Sequence, residues 1–295
     1  MSISKILVPT DFSEEANNAT YVAAQLAKKF KNAEVVLLHV IDIPNVDGSG
    51  VRRDPISLTN EEIDETESPE FMSLYMRKLI QITKEKFAEV QSKYTGINFK
   101  PQIVFDSLAR HLYDFVVKNE TDLIVMGSKG ASGMHELMVG SNTEKVIRHA
   151  KVPVLTVKSK PDGFKVENLV FASTFNDVPE GAAKSFKKIA GDLKAMVHFV
   201  KIITPNTFEI TTDTLDNIHE FAKKYGFDDY RAHTFNHYSE EEGIQAFARQ
   251  VDADMIALTT HNRKGLSHFF LGSIAEEVAN HSSLPVLTFS KHIKQ

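Results

Sequence analysis

The stretch Val139-Gly140-Ser141, followed by Val152-Pro153-Val154-Leu155-Thr156, returns 132 residues later as Leu271-Gly272-Ser273 followed by Leu284-Pro285-Val286-Leu287-Thr288. An echo that keeps both residue types and internal spacing marks a duplicated structural unit, and it restricts the chain to architectures that can be built twice. The runs around the echo say which unit is repeated. In the first copy, apolar runs at Lys5–Pro9, Val35–Val40, Pro101–Phe105, Asp122–Met126 and Val152–Val157 alternate with helical patterns at Glu14–Phe30, Pro69–Tyr94, Leu108–Lys118 and Asn142–His149. Strands that are apolar at nearly every position, separated by helices, read as a parallel sheet covered on both faces.

The second copy supplies matching strands at Asn168–Ala172, Val197–Ile202, Ala232–Phe235, Met255–Thr260 and Pro285–Phe289. The turn-rich stretch Lys158–Gly163 separates the copies, so the sequence divides into domains 1–158 and 165–295. The offset between equivalent positions falls from 163 at Asp11 and Thr174 to 132 at Gly140 and Gly272, so copy two lacks about 30 residues that copy one carries after its second strand. That extra stretch, Asn45–Glu70, is glycine-containing and acidic (Glu61, Glu62, Asp64, Glu65, Glu67, Glu70). Its composition reads as a solvated loop, with a lid or a partner-docking segment as the sharper reading.

Composition closes off several functions. The chain has no cysteine, which excludes disulfides, thiol catalysis and thiolate metal sites. A net charge of −5 gives no reason to expect binding to nucleic acid or to a membrane surface. The apolar run Ile6–Thr10 is too short for a secretory segment, and no run approaches the ~20 apolar residues of a membrane span, so the expected location is cytoplasmic.

The chemistry concentrates at Met126-Gly127-Ser128-Lys129-Gly130 and, nine residues on, Gly140-Ser141-Asn142-Thr143-Glu144. The first group follows a buried strand and the second opens a helix. Ligands of open α/β sheets sit at the carboxyl ends of strands. Glycine admits a phosphate where a Cβ would block it, and a helix start offers free N–H groups to an anion. Neither G-x-x-x-x-G-K-[ST] nor G-x-G-x-x-G occurs.

Gly127-x2-Gly130-x9-Gly140-Ser141 resembles the ATP-binding signature of the universal stress proteins, and the chain as a whole resembles a tandem member of that family. The resemblance implies two Rossmann-like, adenine nucleotide alpha hydrolase-like domains, each a five-stranded sheet in order 3-2-1-4-5. It implies ATP or AMP as ligand; ADP is a further candidate, and Mg²⁺ is the expected companion of the bound nucleotide. It also implies pairing through the last strands of the two domains, or a homodimer. On the same ground Pro9, Thr10 and Asp11 match the segment whose acid meets the ribose, and Val40 the position whose backbone meets adenine. Met126, Gly127, Gly130, Gly140, Ser141, Asn142 and Thr143 complete the nucleotide set.

Each of these residues also has a structural reading. Ser141-x-x-Glu144 fits a capping box, Asp11 could cap the helix that begins near Ser13, and the glycines could serve turns. Copy two is an internal control. It keeps Gly272, Ser273 and Glu276, but has Thr174, Thr259 and Asn262 where copy one has Asp11, Gly127 and Gly130. The lost set reads as ligand-directed and the kept set as scaffold. Copy two instead carries His261-Asn262-Arg263-Lys264, a basic loop that suits a small anion but reads first as solvated surface.

No metal cage is expected, since His233 and His237 flank a strand end and no H-E-x-x-H occurs. Ser132, His135 and Glu136 lie in the spacer between the glycines and read as a turn. The expected function is therefore an ATP-binding regulatory or stress-response protein with an unidentified protein partner. A nucleotide-independent scaffold is the alternative, and a slow ATP hydrolase ranks last.

Overall fold

The computed structural model describes residues 3–41, 56–57, 74–105, 112, 115–128, 140–161, 163–207, 210–260 and 274–293. In chain order the first half contains β1 (Lys5–Pro9), α1 (Glu14–Lys29), β2 (Glu34–Ile41), β3 (Ile56–Ser57), α2 (Leu74–Ser92), β4 (Phe99–Phe105), β5 (Leu123–Gly127), α3 (Ser141–His149) and β6 (Val154–Val157). The second contains β7 (Asn168–Ala172), α4 (Glu180–Leu193), β8 (Met196–Ile203), α5 (Thr211–Tyr225), β9 (Tyr230–Asn236), α6 (Glu240–Gln250), β10 (Met255–Thr260), α7 (Ile274–His281) and β11 (Val286–Ser290). The expected helix Leu108–Lys118 falls largely outside the described residues, of which 112 and 115–118 are helical.

All eleven strands form one sheet, in the order β3-β4-β2-β1-β5-β6-β11-β10-β7-β8-β9. Within each half the five long strands run in the order 3-2-1-4-5, and all pair in parallel. Alternation along each strand feeds two cores. Ile6, Val8, Val35 and Leu37 pack under α1 and α2, while Leu7, Val36, Leu38 and Ile124 pack under α3 and the 115–118 turn. The second half repeats this, with Phe171, Phe186, Phe199 and Phe221 as a block of mutually packed rings on the first of those faces. The stretch Asn45–Glu70, read from sequence as a loop, contributes β3, which lies antiparallel on β4 through Ile56–Ile103 and Ser57–Gln102.

The halves meet where β6 and β11 pair antiparallel about Leu155 and Leu287. Thr156 and Thr288 stitch the pair reciprocally, each hydroxyl donating 3.2 Å to a carbonyl of the other strand's half, Val286 and Val154 respectively. Charged clamps break this two-fold regularity. Arg148 on α3 grips the buried carboxylate of Glu276 on α7 through two bonds of 3.1 Å. Lys188 on α4 reaches Asp122, 2.9 Å away, at the foot of β5.

Candidate functional site

The carboxyl ends of β1 and β5 lie side by side where the chain's direction of winding reverses, the usual crevice of a doubly wound sheet. The register Ile6–Leu123 and Leu7–Ile124 places Thr10 level with Gly127.

The turn out of β1 is fixed by its own hydrogen bonds. Thr10 N–H donates to Leu38 C=O at 2.8 Å, and the Thr10 hydroxyl accepts from Phe12 N–H at 3.0 Å. Phe12 sits at φ 64°, a left-handed conformation that costs a non-glycine residue about 1 kcal/mol. The second half repeats the device: Phe175 has φ 67°, with its N–H 3.3 Å from the Ser173 hydroxyl. Since both halves have this strained turn, it belongs to the strand–helix connection and not to a ligand set.

Asp11 is exposed, and its Oδ1 accepts from Ser13 N–H at 3.0 Å. The cap of α1 is Ser13, whose hydroxyl accepts from Ala16 N–H at 3.3 Å. Asp11 is therefore not the helix cap that sequence allowed; it closes an Asx turn one step earlier.

Val40 lies beyond the end of β1. Because Leu38 C=O faces β1, the alternation of the strand turns Val40 N–H and C=O the same way, toward the space that β1 has vacated. Beside it, His39 Nδ1 lies 2.7 Å from Thr10 C=O. A carbonyl only accepts, so Nδ1 carries the proton. Burial holds the His39 imidazole below its ordinary pKa, and Lys86 pushes it the same way. Lys86 also lies over the Phe12 ring, which packs on His39 and Phe87. Sequence reasoning passed over His39 and Phe12, and quoted Ser128 within the glycine motif without giving it a role; a histidine inside an otherwise apolar strand run was the available signal.

On the other side of the crevice, Gly127 ends β5. A Cβ there would come within 3.0 Å of the Glu15 backbone carbon, so α1 begins directly against it. Gly127 thus has a packing reason of its own, although copy two accommodates Thr259 at the equivalent place. Ser128 N–H donates to Val157 C=O at 3.1 Å, and Ser128 C=O accepts from Gly140 N–H at 2.8 Å. The chain therefore leaves and re-enters at one point. The buried Ser128 hydroxyl has no hydrogen-bond partner among the described residues, an arrangement that calls for one. Gly130 and the spacer Ser132, His135 and Glu136 lie outside the described residues, as does the loop His261–Lys264.

α3 starts on Gly140, with φ −60° and ψ 144°, and no side chain caps it. This corrects the capping-box reading: Ser141 is the first helical residue, not the cap, and Glu144 is occupied by Arg148 at 2.9 Å. A glycine cap leaves the first-turn N–H donors of Ser141, Asn142 and Thr143 without a side-chain acceptor, and the dipole end faces the crevice. Asn142 is exposed, while Thr143 is buried and donates to Gly127 C=O at 3.1 Å. Pro9 is buried, and the Met126 side chain is buried in the core under α3. Among the described residues no three His, Asp or Glu side chains converge as a metal cage, and no helix is long and apolar enough to cross a membrane.

Residues 2–158 and 166–290 each match the model of the Universal stress protein family. The chain is 34% identical over 167 residues to the universal stress protein MJ0577 of Methanocaldococcus jannaschii, covering 53% of this chain and 95% of that protein. It is 23% identical to the universal stress protein Slr1230 of Synechocystis, over 97% of this chain and all of the other. The crystal structure of a universal stress protein from Archaeoglobus fulgidus superposes with a TM-score of 0.71 at 18% identity, covering 99% of this chain and 100% of that one, a likeness of fold.

Proposed function

The chain belongs to the universal stress protein family, and from that premise we propose that its first half holds ATP, or AMP or ADP, in the crevice between β1 and β5, and that occupancy sets the conformation or partner choice of a regulatory protein. The observation that carries this reading is the glycine-capped start of α3, whose uncapped donors stand beside the buried, unpartnered Ser128 hydroxyl. The triphosphate lies across Gly127, Gly130, Gly140, Ser141, Asn142 and Thr143, where backbone N–H groups and the helix dipole meet negative charge. The ribose lies against Asp11, whose exposed carboxylate can accept from sugar hydroxyls, and the adenine edge meets the open backbone of Val40. A Mg²⁺ ion would be held mainly by phosphate oxygens, the usual arrangement for that ion on a nucleotide. The second half, with Thr174, Thr259 and Asn262 in place of the acid and two glycines, does not take ATP.

The test is mass spectrometry of protein purified without added nucleotide, followed by calorimetry with Mg-ATP. Bound adenine nucleotide, or a 1:1 heat lost in Gly130→Val, supports the reading. A chain that carries no nucleotide and gives no heat with Mg-ATP overturns it.

A further inference from the structure

The outer edges of the two halves differ. In the first half the edge strand β4 carries Pro101, and β3 lies against it. The second half lacks the segment that supplies β3. Its edge strand β9 ends the sheet, with no strand on its outer side among the described residues. Natural edge strands are usually blunted by proline, charged side chains, bulges or a covering element. β9, Tyr-Arg-Ala-His-Thr-Phe-Asn, has no proline and a single charged residue, the exposed Arg231, and it pairs with β8 one-to-one from Val197–Tyr230 to Ile203–Asn236 without a bulge.

His237 N–H donates to Ile203 C=O at 3.0 Å. In a parallel ladder, residues at alternate positions face the same neighbour, so Arg231, His233 and Phe235 direct their backbone groups to β8. Tyr230, Ala232, Thr234 and Asn236 therefore direct theirs outward. This outward set complements itself. Turned about a two-fold axis through His233, Tyr230 meets Asn236 and Ala232 meets Thr234 of a second copy, each as a hydrogen-bonded antiparallel pair, for about eight backbone bonds. On the alternate face Arg231 comes opposite Phe235, so no two arginines are opposed.

We propose that β9 is the docking edge for a second copy of this chain, joined antiparallel through the outward backbone of Tyr230, Ala232, Thr234 and Asn236 to continue the sheet across a two-fold axis. Such edge-to-edge pairing already joins β6 to β11 within the chain. Tyr230, Thr234 and Phe235 are residues that strands favour.

Analytical ultracentrifugation of the full chain tests this, together with amide hydrogen exchange. The expected species is a dimer of the 33.1-kDa chain, with the Ala232, Thr234 and Asn236 amides protected in step with dimerisation. Thr234→Pro deletes an outward N–H and leaves the β8 ladder intact. It should weaken the dimer at least about tenfold with an unchanged circular dichroism spectrum. A monomer up to about 100 μM overturns the proposal, whether its β9 amides exchange freely or are covered by a segment of the same chain. A dimer that persists with those three amides exchanging freely overturns it too, because the interface is then elsewhere. The exchange measurement needs no variant and stands if Thr234→Pro fails to fold.

Discussion

The Thr143 hydroxyl donates to the Gly127 carbonyl over 3.1 Å, binding the first turn of α3 to the last residue of β5. Thr143 is 4% exposed, so this bond cannot be exchanged for one to water. Thr143→Val keeps the shape and strands the carbonyl, which costs about 1–3 kcal/mol. Urea denaturation should show that loss without nucleotide, and calorimetry should show weaker ATP binding, because the donors of α3 would no longer be held against the glycine turn. Unchanged ATP affinity in a destabilised variant would mean that the tie serves the fold alone.

Gly127→Ala separates packing from ligand binding. The added Cβ meets the Glu15 backbone at 3.0 Å, and a helix start cannot yield as a side-chain tip would. A loss of about 1–3 kcal/mol is expected in the nucleotide-free protein, read as a lower thermal midpoint. A variant as stable as the parent would show that α1 moves aside freely, and would return Gly127 to a ligand role only.

How much of this was open to inspection in the sequence depends on the range of the interaction. The central strands were legible because parallel strands buried on both faces are apolar at nearly every position, while the outer strands β4 and β9 carry polar residues; the duplication was legible because Gly-Ser and Pro-Val-Leu-Thr kept their spacing. β3 was not: two residues in a polar stretch become a strand only because Ile103 and Gln102 lie beside them. Ser141 was misread because S-x-x-E has the capping-box pattern whichever residue takes the cap, and Gly140 took it. The contact of Gly127 with Glu15 joins distant parts of the chain, so no local pattern announces it. The Val40 backbone required the point at which β1 stops, which only the hydrogen bond from Thr10 to Leu38 supplies.

Acid should destabilise the second half through a pair of imidazoles. His198 and His233 stack with ring centroids 5.4 Å apart, and His198 Nδ1 lies 3.3 Å from His233 Nε2. His198 Nε2 lies 3.3 Å from the Asn168 side-chain oxygen, so it carries the proton, and its Nδ1 accepts from His233. Arg231 and the Phe247 ring complete the surroundings. Burial lowers both pKa values below 6.5, His233 and Arg231 lower that of His198 further, and Arg231 that of His233. The unfolded chain then binds more protons than the folded one below pH 6.5, so stability is full above that pH and falls as the pH drops through 6.5 toward the folded values. Thermal midpoints should be flat above about pH 7 and decline toward pH 5. His198→Gln should shallow the decline, with His39, shifted in the same direction, keeping part of it. An equal slope in variant and parent would remove the pair from the account.

The clamp between the halves should behave as a buried charge held by a partial partner. Glu276 has its side chain 6% exposed, while Arg148 is half exposed and also serves Glu144. Hydrogen bonding to Glu276 raises the Arg148 pKa further, so the guanidinium stays charged. Removing it by Arg148→Ala leaves the Glu276 carboxylate buried without its cation. For a fully buried pair that costs about 3–5 kcal/mol; the exposure of Arg148 and access of water to the vacated side reduce it to about 1–3. The double variant Arg148→Ala/Glu276→Gln carries no buried charge and should recover part of the loss, so the two changes are not additive. Denaturant unfolding of the four proteins of this cycle gives the coupling directly. If the double variant is less stable than Arg148→Ala alone, Glu276 is stabilised by something other than Arg148. If it is more stable, the loss in Arg148→Ala is chiefly the penalty of the uncompensated Glu276 carboxylate; the position two-fold related to Arg148 is the neutral Asn280, whose carbonyl accepts from Lys158 at 3.2 Å, so the clamp has no counterpart of the same kind there.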